Sequence, residues 1–221
     1  MHKYADGVNM QPPEMSQRRL ELLRVLHALA RTGLHFCRDE YDRERYEQIE
    51  RIASELLADG ARAVVADVER EWALETGYVT PKVEVRGAVF RPEDGKVLLV
   101  RETADGRWTL PGGWADVNDS PSTAIRREIE QEAGFRVRVV KLAALYDRNL
   151  HDHPPSMFHS WKAFFLCEIE GGEARGSHET DAVEFFSLDA LPPLSVGRTT
   201  ARQIERMRLH WEHPGIATDF D

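Results

Sequence analysis

The sequence has few of the features that mark secreted, membrane-spanning or nucleic-acid-binding proteins. It has two cysteines in 221 residues, Cys37 and Cys167, and they lie far apart, so no disulfide framework is indicated. Its longest apolar runs, 142–146 and 163–167, are much shorter than the roughly 20 residues that span a bilayer. Asp and Glu outnumber Lys and Arg by 38 to 29, which opposes non-specific binding to nucleic acid. Because the N-terminus also lacks an apolar signal core, we expect a cytoplasmic protein without membrane or nucleic-acid partners.

The first third of the chain predicts helices. Apolar residues recur at helical spacing in three stretches, and a glycine follows each of them. Ser16 is a candidate N-cap of the first helix, and Gly33 is a candidate residue for its C-terminal end. The apolar stripes require burial, either against the same chain or against another one.

From Val83 onward the hydrophobic period changes from helical to alternating, which is typical of strands. Several strand patterns follow, together with two further predicted helices over 121–132 and 198–213. We therefore predict an α+β protein with a small all-helical domain over 1–77. A domain with a β-sheet follows over 78–221.

The most informative segment is a glycine pair, Gly112-Gly113, followed by an acidic helix. On this helix Glu128 and Glu132 are four residues apart, so both carboxylates project from one face. Two like charges this close repel each other unless a cation lies between them. A hard divalent ion such as Mg²⁺ accepts such oxygen ligands together with phosphate oxygens. The helix boundaries are predicted by a capping serine, a proline at the first position and a terminal glycine, at Ser120, Pro121 and Gly134.

This segment resembles the Nudix box, Gly-x5-Glu-x7-Arg-Glu-U-x-Glu-Glu-x-Gly-U, where U is an aliphatic or bulky apolar residue. The matching positions are Gly113, Arg127, Glu128, Ile129, Glu132, Gly134 and Phe135. Two positions depart from the pattern. Asp119 replaces the first glutamate, and Gln131 replaces a carboxylate that binds a further metal in parts of the family. The resemblance implies a Nudix α/β/α sandwich with a mixed sheet for the second domain.

The resemblance further implies hydrolysis of a nucleoside diphosphate linked to another group, with Mg²⁺ or Mn²⁺ as the cofactor. Glu128, Glu132 and the Gly112 carbonyl are the implied metal ligands. Arg127 would orient a carboxylate through a charge-assisted hydrogen bond. The change at Gln131 leaves the number of metal ions open, because an amide offers one weaker oxygen in place of a carboxylate.

A catalytic base and the residues that bind the substrate are expected outside the box. Family members often place a glutamate base in the loop before a late strand, which favours Glu179 over Asp181 or Glu184. Three arginines at or near predicted strands are candidates for contacting the diphosphate or the attached group: Arg86, Arg101 and Arg148.

Nearly the whole chain resembles one bacterial Nudix subgroup, which includes CDP-choline pyrophosphatases and proteins labelled ADP-ribose pyrophosphatase. This implies a homodimer in which the helical domain pairs the subunits or shapes the pocket. The favoured small nucleotide substrate is CDP-choline, cleaved to CMP and phosphocholine, and ADP-ribose is the next. The alternative, which Gln131 leaves open, is a ligand-binding regulator that keeps the fold with weakened catalysis. The helical segment shows no basic stripe of the kind expected of a DNA reader.

Overall fold

The computed structural model describes residues 16–221, and the chain divides into two compact units. The first unit comprises the chain up to Pro81 together with Pro155–His159. The second comprises Lys82–Pro154 and Ser160–Asp221. Across residues 16–221, no helix has both the length and the apolar character needed to cross a bilayer.

The first unit is helical, as predicted, with α1 (Gln17–Phe36), α2 (Glu40–Ala61) and α3 (Val65–Trp72). Ser16 caps α1, and its side chain accepts a hydrogen bond from the backbone N–H of Arg19. These helices surround a core to which the separate segment 155–159 also contributes. Its buried members include Leu20, Leu23, Ala53, Leu57, Val68, Trp72, Met157 and Phe158.

The predicted end of α1 at Gly33 is wrong, because the helix continues to Phe36. A Cβ atom at Gly33 would lie 2.4 Å from the ring of Tyr46 on α2. The glycine therefore permits close approach of two helices, and it does not terminate the first one. Helical spacing alone does not distinguish these two uses of glycine.

The apolar residues of α1 lie on two sides of the helix. Leu20 and Leu23 are buried in the core of the first unit, whereas a second set is exposed. This exposed set, which we call the α1 stripe, consists of Leu22, Val25, Leu26 and Leu29. The unit therefore leaves part of the predicted apolar surface uncovered.

The second unit contains both sheets and the remaining helices. Its elements are β1 (Lys82–Val89), β2 (Val97–Glu102), β3 (Trp108–Thr109), α4 (Pro121–Ala133), β4 (Phe135–Asp147), β5 (Ser160–Gly172), β6 (Thr180–Phe186), α5 (Ala201–Glu212) and β7 (Asp219–Phe220). One sheet has the order β1-β5-β4-β7 and the other has the order β3-β2-β6. The first sheet is mixed, because β1 pairs parallel to β5 while β4 pairs antiparallel to β5. The predicted α+β class is confirmed.

Alternation along β1 places its side chains in two separate cores. Val85 and Val89 pack in the core that contains Ile125 and Ile129 of α4. The intervening Ala88 belongs to the core that contains the apolar residues of α5. Helices therefore cover both sides of the sheet layer, and α4 is held through its apolar face.

The boundaries of α4 follow the predicted signals. The Ser120 side chain accepts a hydrogen bond from the backbone N–H of Thr123, and Pro121 is the first helical residue. Gly134 ends the helix with a left-handed φ of 78°. A Cβ at this position would lie 2.3 Å from the Glu173 carbonyl oxygen, so the close approach also requires glycine.

Candidate active site

The two carboxylates of α4 are buried against the glycine pair that precedes the helix. Glu128 is 2% exposed and Glu132 is 4% exposed. The backbone N–H of Gly112 donates to Glu132 Oε2 over 2.9 Å. A Cβ on Gly113 would lie 3.0 Å from Glu128 Oε2, and one on Gly112 would lie 2.1 Å from the Val85 carbonyl oxygen. The two glycines therefore let the backbone lie directly on both carboxylates.

Arg127 joins the loop before the helix to Glu128. Its Nη2 lies 3.1 Å from Glu128 Oε1, and its Nη1 lies 2.9 Å from a carboxylate oxygen of Asp116. Nη1 also donates to Asp119, the residue that replaces the first glutamate of the box. A guanidinium with fixed donors can hold one carboxylate in a single orientation in this way.

The charge at this site is not balanced by the described residues. Burial raises the pKa of Glu132 to about 8, and the charges of Glu102 and Glu128 act in the same direction. The positive charge of Arg86 and the Gly112 N–H oppose this rise. Glu128 Oε2 is buried and accepts no hydrogen bond from residues 16–221. A buried carboxylate oxygen without a donor is costly unless a ligand supplies the missing positive charge.

These residues fit a divalent cation. Two buried carboxylates with one unsatisfied oxygen are hard oxygen ligands of the kind that Mg²⁺ and Mn²⁺ prefer. In the part of the chain that the structure describes, no three His, Cys, Asp or Glu residues converge as a metal site. A cation here would therefore use both glutamates together with backbone, water or phosphate oxygens. Gln131 is exposed on α4, so its amide is not buried beside the pair.

Glu102 is a candidate site residue that the sequence analysis missed. It ends β2, is largely buried, and its Oε1 lies 3.1 Å from Arg198 Nε. Its charge acts on both Glu132 and Arg86, which places it toward the carboxylate pair. The sequence shows only that Glu102 follows Arg101 at the end of a predicted strand. The strand pairing is irregular between these two residues, and residue spacing alone does not show that this irregularity directs the Glu102 side chain inward.

Glu179 lies in the loop before β6, as expected. Its backbone carbonyl accepts a hydrogen bond from Thr103 N–H over 2.8 Å. The hydroxyl of the next residue, Thr180, donates to the Glu132 backbone carbonyl over 2.7 Å. The loop is therefore fixed against the C-terminal end of α4. Of the alternatives, Asp181 is paired with Arg101 and Glu184 is exposed on β6.

The three candidate arginines lie in different environments. Arg86 is buried and donates to Glu84 and, over 3.0 Å, to the Leu110 carbonyl. Arg101 pairs with Asp181 near the surface, at 2.7 Å. Arg148 is buried at the end of β4. The structure therefore associates Arg86 with the carboxylate pair through charge, while Arg101 has its own carboxylate partner.

Comparison with known proteins agrees with this geometry. The family described as "NUDIX domain" matches residues 81–207, more than half of the chain. A second family, described as "UDP-X-like, N-terminal oligomerisation domain", matches residues 17–71. The first match contains the glycine pair, α4 and the Glu179 loop, and the second contains most of the three-helix unit.

Individual relatives extend over most of the chain. The Bacillus subtilis protein named "Putative ADP-ribose pyrophosphatase YjhB" is 39% identical over 202 residues, which cover 91% of this chain and 96% of that protein. A crystal structure titled as a UDP-X diphosphatase is 32% identical, covers 94% of this chain and all of the other, and has a TM-score of 0.60. An ADP-ribose pyrophosphatase structure from Streptococcus suis is 39% identical, covers 64% of this chain and all of the other, and has a TM-score of 0.59. With its glycine pair, Arg127 and two buried helix carboxylates in place, this chain belongs to the Nudix hydrolase family.

Proposed function

We propose that this protein is a metal-dependent hydrolase that cleaves the diphosphate bond of a nucleoside diphosphate linked to another group. The burial of Glu128 and Glu132 against Gly112-Gly113 carries the proposal, because it creates a site with excess negative charge. A diphosphate has the same sign of charge, so cations must lie between it and these carboxylates. Mg²⁺ or Mn²⁺ is the proposed cofactor.

The proposed metal ligands are Glu128, Glu132 and the Gly112 carbonyl oxygen. When bound, the ion neutralises charge on the diphosphate and lowers the pKa of a coordinated water. Arg127 holds the Glu128 carboxylate through its hydrogen bond to Oε1. Glu179 is the proposed general base, with its carboxylate accepting a proton from the attacking water.

Two of the candidate arginines have a proposed electrostatic role toward the substrate. Arg86 is surrounded by the charges of Glu84, Glu102 and Glu132, so it partly offsets the acidity of the site. Arg101 can bind an anion only in competition with Asp181, so it is the weaker candidate.

The substrate is proposed from two candidates. Relatives named for ADP-ribose support ADP-ribose, which gives AMP and ribose 5-phosphate on hydrolysis. CDP-choline, favoured by the sequence resemblance alone, gives CMP and phosphocholine. We therefore propose ADP-ribose as the first candidate and CDP-choline as the second. The alternative, a ligand-binding regulator with weakened catalysis, rests on Gln131, whose side chain is exposed on α4.

We also propose that the protein is a homodimer formed through the helical domain, for which we retain the bounds 1–77, with the catalytic domain over 78–221. The match to an oligomerisation family supports this proposal. The α1 stripe supplies exposed apolar area of the kind that a partner subunit would cover.

The direct test is incubation of the purified full-length protein with ADP-ribose and with CDP-choline, each in Mg²⁺ and in Mn²⁺. Separation of the products identifies which bond is cleaved, and hydrolysis in ¹⁸O-labelled water shows which phosphorus is attacked. We expect cleavage of ADP-ribose to exceed that of CDP-choline. A Glu130→Gln variant is the matched control for changes at Glu128 and Glu132, because Glu130 is exposed on the same helix. Absence of cleavage of both compounds with both metals would reject the proposed function.

A further inference from the structure

A second group of buried charges lies in the same unit, and Arg86 interacts by charge with both this group and the carboxylate pair. Lys162 on β5 is fully buried, and its Nζ donates to Glu84 Oε2. Arg86 donates to the other oxygen, Glu84 Oε1. One carboxylate is therefore shared between two buried cations. Although burial alone would raise it, the pKa of Glu84 is lowered to about 2 by Arg86 and Lys162.

The strand register brings a third cation to this group. Glu84 on β1 pairs with Lys162 on β5, and Lys162 pairs in turn with Tyr146 on β4. Residues paired directly across strands share a face of the sheet. Arg148 follows two positions after Tyr146, at the end of β4. Its burial lowers its pKa, and the attraction of Glu84 only partly opposes this.

Arg148 has no partner of its own in residues 16–221. The residue is only 8% exposed, yet its guanidinium makes no hydrogen bond and no ion pair with the described residues. The guanidinium nitrogens of Arg148 are not among the fully enclosed atoms that lack a partner in residues 16–221, so they reach solvent. Five donors at the open edge of a largely buried side chain can take acceptor oxygens from a ligand.

The neighbouring histidine does not supply the missing negative charge. His153 Nδ1–H donates to the Val196 carbonyl over 2.7 Å, and Nε2 accepts from the Gln203 amide over 2.9 Å. Burial, together with Lys162 and Arg148, lowers the pKa of His153 to about 3, so the ring is neutral. Glu84 attracts Arg86, Lys162 and Arg148, and Arg86 is also attracted by Glu102 and Glu132. Burial lowers the pKa of Lys162 to about 7, so this ammonium is held in its charged form chiefly by Glu84.

We infer that Arg148 and Lys162 form an anion subsite that takes a phosphoryl group of the substrate. A planar guanidinium matches two oxygens of one phosphoryl group, and the enclosed Lys162 adds positive charge behind it. Arg86 connects this subsite electrostatically to Glu132, so one diphosphate compound can engage both places. The identification of the phosphoryl group as part of a substrate rests on the proposed function.

The subsite also limits the charge of the substrate's attached group where that group contacts Arg148 and Lys162. Excess positive charge repels a quaternary ammonium ion such as choline, whereas it attracts a phosphate ester or another oxyanion. The inference therefore favours substrates whose attached group presents phosphate here. If choline is part of the true substrate, it must lie elsewhere.

The test measures binding of inorganic phosphate to the full-length, metal-free protein by isothermal titration calorimetry in EDTA. Arg148→Met is expected to weaken phosphate binding about 10- to 100-fold, because it removes charge-assisted bonds to the anion. Lys162→Met is expected to weaken it about 10-fold, because it removes the positive charge behind the guanidinium. Choline chloride is expected not to bind. The control is Arg138→Met, which removes an exposed arginine paired with Glu168 on the same sheet. It is expected to bind phosphate like the unaltered protein.

Thermal stability separates a binding role from a structural one. Arg148→Met is expected not to lower the melting temperature of the metal-free protein, because the Arg148 side chain makes no hydrogen bond or ion pair within residues 16–221. Phosphate is expected to raise the melting temperature of the unaltered protein by more than that of Arg148→Met. In Lys162→Met, Glu84 remains paired with Arg86. If this single variant does not fold, the double variant Glu84→Gln with Lys162→Met removes both charges and takes its place.

The inference is overturned if the unaltered protein does not bind phosphate, or if both variants bind it with unaltered affinity. A lower melting temperature of Arg148→Met with unaltered phosphate affinity would also overturn it. The outcome is independent of catalysis. If the variants lose phosphate binding and the unaltered protein hydrolyses neither ADP-ribose nor CDP-choline, only the proposed function is rejected. Hydrolysis with phosphate affinity that is insensitive to both variants would reject only the subsite.

Discussion

Two groups of charged residues in the second unit differ in whether their charges have hydrogen-bond partners. In the first cluster, near the C-terminus, Asp219 accepts from Arg206, from His210 Nε2 at 3.0 Å and from Tyr146 Oη at 3.0 Å. These bonds hold the pKa of the Asp219 carboxyl well below its ordinary value, chiefly through Arg206. They join β7 to α5 and β4, so the cluster closes the end of the chain onto the fold.

The candidate site differs, because the charges of the carboxylate pair, Glu128 and Glu132, and of Arg148 in its neighbouring group are incompletely matched. Glu128 Oε2 and the Arg148 guanidinium each lack a hydrogen-bond partner in residues 16–221. Both residues are more deeply buried than Asp219. Unmatched buried charge lowers stability, so its presence indicates a place where a ligand completes the interaction. Matching of charge, more than burial itself, therefore distinguishes the Asp219 cluster from the candidate site.

The largest effect is expected at the carboxylate pair. Glu128→Gln together with Glu132→Gln should lower kcat/KM by about 10³-fold or more, because the double variant removes both proposed side-chain metal ligands. The free energy of unfolding of the metal-free protein should rise, because burial disfavours the carboxylate charge that the double variant removes. Steady-state kinetics with the preferred substrate and urea unfolding in EDTA measure the two quantities.

The control for this pair is Glu130→Gln on the exposed face of α4. It should change neither kcat/KM nor unfolding appreciably. If the double variant retained full hydrolysis, the carboxylates would not be the metal site. If it unfolded more easily, their charges would be structural, and the contrast with Asp219 would fail.

The next effect concerns the general base. Glu179→Gln should lower kcat by about 10²- to 10⁴-fold, the range typical of a positioned base, while leaving substrate binding nearly unaltered. Asp181→Asn and Glu184→Gln should retain most of the turnover, since Asp181 is paired with Arg101 and Glu184 is exposed. Rapid-quench single-turnover measurements distinguish loss of chemistry from loss of binding.

Glu102→Gln provides the competing outcome for the base. Its buried carboxylate is coupled by charge to Glu132. If this variant lost turnover more severely than Glu179→Gln, the base would be assigned to Glu102, and Glu179 would keep only its role in fixing the loop to α4.

At the Asp219 cluster the expected effect is on stability. Asp219→Asn should lower the free energy of unfolding by about 2 kcal/mol, because charge-assisted bonds are lost, and should leave kcat nearly unaltered. The folded-state pKa of Asp219 lies below its unfolded value, so its contribution is present above the ordinary aspartate pKa and is lost as the pH falls through the folded value.

Urea unfolding of the unaltered protein and of Asp219→Asn, at neutral pH and at about pH 3, measures this contribution. The difference between them should be smaller at the acidic pH. Asp189→Asn, an exposed aspartate in the same unit, is the matched control. Equal stability of Asp219→Asn and the unaltered protein would contradict the assignment of this cluster as structural.

The smallest effect on catalysis is expected from the α1 stripe, which is another feature without a partner in the single chain. Leu29 is 61% exposed, and Leu29→Asp should halve the mass measured by light scattering if the stripe forms a dimer. Hydrolysis per chain should fall only if the second subunit shapes the pocket. Val64→Asp alters another exposed apolar residue of the helical unit and should leave the mass unaltered. An unaltered mass in Leu29→Asp would place the interface elsewhere.

Much of the local structure could be predicted because its signals are local. The start of α1 at Ser16 and the start and end of α4 are determined by caps, a proline and a left-handed glycine, all within a few residues of the helix ends. The change from helical to alternating period marks where the strands begin. Gly33 was misread, since its reason for being glycine is Tyr46 on another helix.

The candidate site was predictable only in part. The spacing of Glu128 and Glu132 placed both carboxylates on one face, and the box pattern identified Arg127 and Gly113. Glu102 and Lys162 were missed because neither lies in a motif, and each becomes significant only through burial next to residues from other strands.

The sequence by itself determined which segments are helices and strands, the acidic pair on α4 and the family to which they point, because each depends on neighbours within a few positions along the chain. Only the tertiary structure decided which charges find partners. Asp219 meets Arg206 and Tyr146 across the fold, whereas Arg148 reaches a buried place beside Lys162 and Glu84 without an acceptor of its own. The reason is physical: the energy of a charge in a protein depends on burial and on groups brought together from distant parts of the chain, which local spacing does not encode.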